Sequence, residues 1–218
     1  MLRMLFEKTG RGIWISHLDL MRVFQRAFRR AGILIKHTQG YNPHAFVSIV
    51  LPLSVGTASR CELLEFDMDS EEPLDTLPEK LNAVLPGGVR CIRAYEGGRK
   101  IRDLACLRVR VTLEYDRGIP ENAEKVLTEF FARPEILVEK KSKKGLVDQD
   151  IRPMIRELSV TPADENTLVL DAVICAQNPS LNPDQLARAI EKYLPDFAPD
   201  FAKSERLEVY DAQMEVFR

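Results

Sequence analysis

His17, His37 and His44 are the only histidines in the chain, and they share one stretch with four arginines, Arg22, Arg26, Arg29 and Arg30. Imidazole titrates near neutral pH, so each histidine could take or give a proton in general acid–base chemistry. Guanidinium is planar, permanently charged and suited to bidentate contact with phosphate. Beside them lie Lys36, Gln39, Tyr41 and Asn42, which together can neutralise, donate, accept and stack. Such a set suits an RNA strand, with cations on phosphates and the loop groups on exposed bases.

The elements that must position these groups follow from local pattern. Ser16 can cap the first free N–H groups of a helix, Asp19 stands three residues on, and Gly32 ends the run. Leu20, Phe24, Ala27, Phe28 and Ala31 keep helical spacing and predict one buried stripe. The four arginines repeat on the opposite side with no glutamate four residues away, which leaves their mutual repulsion uncompensated. Most charged helix faces are merely solvated; the single sign of this one points to an anion. Beyond Ile33–Ile35, Gly40 and the Asn42-Pro43 pair predict a turn-rich loop. Gly10 and Gly12 around Arg11 form a weak phosphate-cradle signal, and Trp14 is expected in the core.

Residues 2–56 resemble the opening of the radical-SAM-linked protein family, a domain of unknown function that occurs beside, or fused behind, a radical S-adenosylmethionine protein. The matching residues are Gly10, Ser16-His17-Leu18-Asp19, Arg26-Ala27, Arg29-Arg30-Ala31-Gly32, Gly40, Asn42-Pro43-His44, Pro52-Leu53 and Gly56. Tyr41 stands where that family would have phenylalanine, and Ala45 where it would have proline. The resemblance implies an accessory partner acting near RNA or its modification, with no reaction attached.

Elsewhere, Cys61, Cys91, Cys106 and Cys175 are widely spaced, without a C-x-x-C pair or a histidine close behind. Zinc or iron–sulfur ligation by this chain is not expected, nor any cofactor of its own; a radical-SAM partner, as a separate chain, would supply the cluster. No apolar run approaches bilayer length and no signal-peptide core opens the chain, so no membrane contact and a cytoplasmic location are expected. The formal charge of −2 hides a division. Residues 1–46 carry eight basic side chains against two acidic, and residues 47–98 four against nine.

Alternating, β-branched and aromatic patterns predict strands at Met1–Lys8, Phe46–Leu51, Cys61–Met68 (with an acidic outer face) and Val89–Tyr95, and helical spacing predicts a second helix over Pro73–Leu85. That order, β-α-β-β-α-β, predicts an α+β ferredoxin-like domain over residues 1–98, with Glu96–Lys100 at its boundary. Residues 99–218 predict a second ferredoxin-like domain. It has strands at Leu104–Tyr115, Ile136–Lys140, Asp150–Val160, Thr167–Ala176 and Leu207–Phe217, helices opening at Pro120 and Pro183, and a lysine-rich turn at 140–144.

Three functions fit. The first is a non-catalytic RNA-binding module using Arg22, Arg26, Arg29, Arg30, Lys36, Gln39, Tyr41, Asn42 and His44, with tRNA or ribosomal RNA as ligand. The second is a metal-independent endoribonuclease, because paired ferredoxin-like domains with a histidine near the first helix also resemble the CRISPR-repeat endoribonucleases. His17, His37 or His44 would then move the proton of a 2′-hydroxyl, with Tyr41 assisting. The third is a protein scaffold whose arginine face meets acidic side chains of a partner.

Overall fold

The protein is described by a computed structural model over residues 1–142 and 145–218. Its strands and helices form a mixed α+β structure divided into two compact units, residues 1–101 with Arg218, and residues 102–217.

In the first unit, β1 (Leu2–Lys8), α1 (His17–Arg30), β2 (Val47–Ile49), β3 (Ala58–Phe66), α2 (Leu77–Asn82) and β4 (Val89–Glu96) follow one another. β1 pairs antiparallel with both β3 and β4, and β2 pairs antiparallel with β3, so the order across the sheet is β4-β1-β3-β2. Met4 and Phe6 of β1, Leu64 and Phe66 of β3, and Val89 and Cys91 of β4 share one core with the apolar stripes of both helices. Both helices therefore cover the same face of the sheet. Phe6 meets Phe24 edge-on at 4.8 Å, and Phe28 lies 5.1 Å from Phe66. These aromatic pairs fix the rotation of α1 about its axis and leave its arginines outside.

The acidic outer face expected of β3 is not there. Glu65 is only 5% exposed because it lies opposite Arg3 in the register, and the guanidinium reaches one carboxylate oxygen at 2.9 and 3.1 Å. The same guanidinium donates to the Arg99 carbonyl at 2.5 Å. Glu62 is buried as well. The second helix is shorter than the Pro73–Leu85 span, since Leu74–Thr76 forms a 3-10 turn and Pro78 sits in the first turn of α2.

The second unit runs β5 (Leu104–Glu114), α3 (Ala123–Phe131), β6 (Leu137–Ser142), β7 (Gly145–Asp150), β8 (Ile155–Pro162), β9 (Thr167–Cys175), α4 (Asp184–Tyr193) and β10 (Phe201–Asp211). Antiparallel pairing gives the order β10-β5-β9-β8, while β6 and β7 form a separate two-stranded ribbon. With the ribbon set aside, the element order and strand order repeat those of the first unit.

Two boundaries differ from the sequence pattern. The expected strand Asp150–Val160 is interrupted by a 3-10 turn at Arg152–Met154, and its first residue instead ends β7. The closing strand starts at Phe201 rather than Leu207 and stops at Asp211. There a carboxylate oxygen of Asp211 accepts from the N–H groups of Gln213 and Glu215, both at 2.9 Å, and turns the chain. Of the lysine-rich turn, Lys143 and Lys144 lie outside the described residues. Among the described residues, no helix is long and apolar enough to cross a membrane.

Candidate functional site

α1 is built by local chemistry at both ends. The Ser16 hydroxyl accepts from the Asp19 N–H at 3.2 Å and donates to the Asp19 carboxylate at 2.8 Å. Arg22 donates to the other carboxylate oxygen at 2.9 Å. The Ser16 hydroxyl first, and Arg22 next, hold the Asp19 carboxyl below its ordinary range. At the far end Gly32 adopts a left-handed φ of +75°, and the Ile33 N–H reaches back to the Phe28 carbonyl at 3.0 Å. This is the Schellman arrangement that closes a helix on a glycine.

Leu20, Phe24, Ala27 and Phe28 are buried, whereas Arg22, Arg26, Arg29 and Arg30 are exposed. The four are not equivalent. Arg22 is tied to Asp19, an exposed pair three residues apart that the sequence pattern had left out of the balance. Among the described residues, no hydrogen bond or ion pair engages the side chains of Arg26, Arg29 or Arg30. Lys36 is paired with Asp67 at 3.2 Å, so that cation is also partly neutralised.

The loop after α1 is a small hairpin. Its sides are tied by Phe46 N–H to the Lys36 carbonyl and by Thr38 N–H to the His44 carbonyl, both at 2.8 Å. The Thr38 hydroxyl accepts from the His44 N–H at 3.2 Å. The His44 Nδ1 stands 3.1 Å from that hydroxyl and 3.2 Å from the Asn42 carbonyl. His44 is thus fixed at the base of the loop through one ring nitrogen, while Gln39, Tyr41 and Asn42 project at the tip. Tyr41 is fully exposed.

Two clefts flank α1. One, of about 420 Å³, opens between Gln25, Phe28 and Arg29 of the helix and the chain from Gly32 to His37. The other, of about 220 Å³, lies between Val23, Arg26 and Arg30 and the turn at Val84–Pro86. The three histidines do not converge. His17 opens α1, whereas His37 lines the cleft beside Arg29, twelve residues and roughly 18 Å further along the helix axis.

Several residues escaped the sequence reading. Trp14, expected in the core, is 68% exposed, and the ring's edge lies 3.5 Å from where a Cβ on Gly56 would be. It adds an aromatic surface just ahead of α1. Within the Gly10-Arg11-Gly12 triplet, Gly12 is required by packing, whereas Gly10 has open space around it. A Cβ on Gly12 would come within 2.4 Å of the Gly88 carbonyl oxygen, which already accepts from the Thr9 N–H at 2.8 Å. Lys8 is only 1% exposed, its ammonium donates to the Ile13 carbonyl at 3.0 Å, and burial pushes its pKa down against the opposing pull of Glu62. Alternation places Lys8 on the face of Met4 and Phe6, but its charge gave no reason to expect it inside. Gln25 and Thr38 carried only a weak one, as polar residues beside the expected site.

Residues 1–183 match a family described as an uncharacterized protein conserved in bacteria, DUF2344. The chain belongs to that family. No curated protein matches this DUF2344 member. Among solved structures, it is similar to a chain in the crystal structure of a Cbf5–Nop10–Gar1 complex, at 7% identity and a TM-score of 0.55. That match covers 95% of the DUF2344 chain and 48% of the other, so the chain spans about half the length of the protein it resembles. It is a likeness of fold. An unknown protein from Galdieria sulphuraria aligns over 94% of this chain and 96% of its own at 12% identity, with a TM-score of 0.25 that carries no fold argument.

Proposed function

We propose that this chain is a non-catalytic accessory protein that holds RNA, tRNA or ribosomal RNA, for a radical-SAM partner on a separate chain. The observation that carries the reading is the exposed face of α1, where among the described residues no hydrogen bond or ion pair engages Arg26, Arg29 or Arg30, and where Arg29 shares a cleft with His37 and Ala45 at the root of the loop that projects a fully exposed Tyr41. Guanidinium groups in that state would neutralise phosphates, which position a strand without reading it. Tyr41, Gln39, Asn42 and the anchored His44 would stack on or hydrogen-bond to unpaired bases. The order β4-β1-β3-β2, repeated as β10-β5-β9-β8, supports reading each unit as ferredoxin-like, with the ribbon as an insertion in the second. The radical-SAM association rests on the Ser16–Asp19, Arg26–Gly32 and Asn42–His44 resemblance.

The test is affinity for bulk tRNA and ribosomal RNA over a salt series, beside a variant with Arg26, Arg29 and Arg30 changed to Glu. Binding should weaken steeply with salt, and the variant should bind far more weakly, with a slope smaller by about two for three lost contacts to a single strand. No binding at low salt sinks the reading. The endoribonuclease alternative requires shortened RNA in the same samples, lost in His44→Ala; intact RNA throughout excludes it.

A further inference from the structure

The larger cleft beside α1 combines an apolar floor with polar groups whose bonding capacity is unspent. Phe28, Ile33 and Ile35 are buried beneath it and Leu34 stands exposed at its side. Gln25, Arg29 and His37 also line it, and among the described residues none of these three side chains has a hydrogen-bond or ion-pair partner. A carboxamide both donates and accepts, a neutral imidazole does the same through its two nitrogens, and a guanidinium only donates. The complementary ligand is a flat, largely apolar body with donors and acceptors on its edge and a negative charge at one end. The volume, about 420 Å³, is in the range of small-ligand sites.

We propose that this cleft receives a single unstacked nucleotide, its base against Phe28, Ile33, Leu34 and Ile35 and its phosphate on Arg29. The assignment rests on the RNA reading above and deepens it. Gln25 and His37 meet the edge of the base, so the cleft selects an unpaired nucleotide over a duplex, whose edges are already satisfied. Arg26 and Arg30, on the opposite flank of α1 with the smaller cleft, are left to hold the neighbouring phosphates. The nucleotide can come from a strand or from a free monophosphate; the chemistry is shared, and the experiment separates them.

The experiment uses a single-stranded oligoribonucleotide carrying 2-aminopurine, whose emission rises when the base leaves its stacked neighbours, with adenosine monophosphate as competitor. Two variants accompany the wild type. Ala45→Trp fills the cleft from its rim, and Gln25→Ala removes an edge contact from a half-buried helix position, where alanine favours the helix. Binding should raise the emission. Ala45→Trp should abolish that rise and weaken affinity about tenfold while keeping the salt slope, and Gln25→Ala should weaken it about threefold.

Strand binding that the monophosphate does not displace identifies the strand as the source. Displacement, or binding of the monophosphate alone, identifies a free nucleotide and in the second case sinks the RNA reading but not the cleft. A strand bound with the same slope, emission and affinity by wild type and both variants overturns the cleft and leaves the RNA reading standing. Failure of both probes to bind overturns both.

Discussion

Ser16 does two jobs with one oxygen: it satisfies the Asp19 N–H and, by donating to the same residue's carboxylate, helps keep that carboxylate ionised. Ser16→Ala should cost about 1 kcal/mol in denaturant unfolding at neutral pH, the usual worth of a helix cap. The Asp19 carboxyl has a folded pKa below its ordinary 3.8, so its contribution is fully present above that value and is lost as pH falls through the depressed one. The stability difference between wild type and Asp19→Asn should therefore shrink on acidification below 3.8. A difference that stays constant from neutral to acid pH would show that the carboxylate charge plays no part. Among the cysteines, burial pushes Cys91 up to about 12 and keeps it a thiol, which suits a packing role rather than a reactive one.

At the scale of elements, the first unit is held at two points where chain segments distant in sequence come together. One is the buried Arg3–Glu65 pair across β1 and β3, in which each charge is tolerated because the other stands opposite. The other is the contact of Gly12, in the 3-10 turn before α1, with Gly88, in the turn before β4. Gly88 has a φ of +89°, and a Cβ there would stand 2.4 Å from the Thr9 carbonyl oxygen and 2.5 Å from the Gly12 nitrogen. Gly88→Ala should destabilise by about 3 kcal/mol, the upper range for overpacking, with left-handed strain acting in the same direction. Gly87→Ala, one residue earlier and in open space, is the control and should unfold with the wild type. Equal denaturation midpoints for the two variants would refute the close contact. The same turn of chain seats Trp14 and the start of α1, so the packing of two glycines bears on where the arginine face is held.

Across the molecule, net charge is a poor guide to what the surface attracts. The chain has a sequence pI near 6.0 and a formal charge of −2. Much of the acidic count in residues 47–98 is spent internally. Glu62 and Glu65 are buried, Asp67 is paired with Lys36, and Glu72 is paired with Lys80. Among the described residues, Arg26, Arg29 and Arg30 of α1 are not spent in this way. The intact protein should be retained on immobilised heparin at pH 7 and low salt despite its net negative charge, and released as salt screens the contact. The Arg26, Arg29 and Arg30 to Glu variant should pass through; equal retention of both would move the anion-binding surface away from α1.

α1 was legible almost to the residue, with its cap at Ser16, its end at Gly32 and its division into buried stripe and arginine face. Each of those features is decided within a turn or two of helix, by periodicity and by groups a few residues apart. The alternating strands of β1, β4, β5 and β9 were legible for the same reason. Tertiary structure alone decided which polar residues are inside: Arg3, Glu65 and Glu62 read as surface by alternation and are buried by partners far away in the chain. It also decided the β6–β7 ribbon, the early start of β10, the exposure of Trp14 and the meeting of Gly12 with Gly88. The candidate site divided along the same line. Its charges were visible in the sequence, but the pairing of Arg22 and Lys36, the anchoring of His44 by Thr38 and the cleft that gathers Gln25, Arg29 and His37 were not. Those depend on register and on how the chain folds back over the end of α1, which local pattern does not encode.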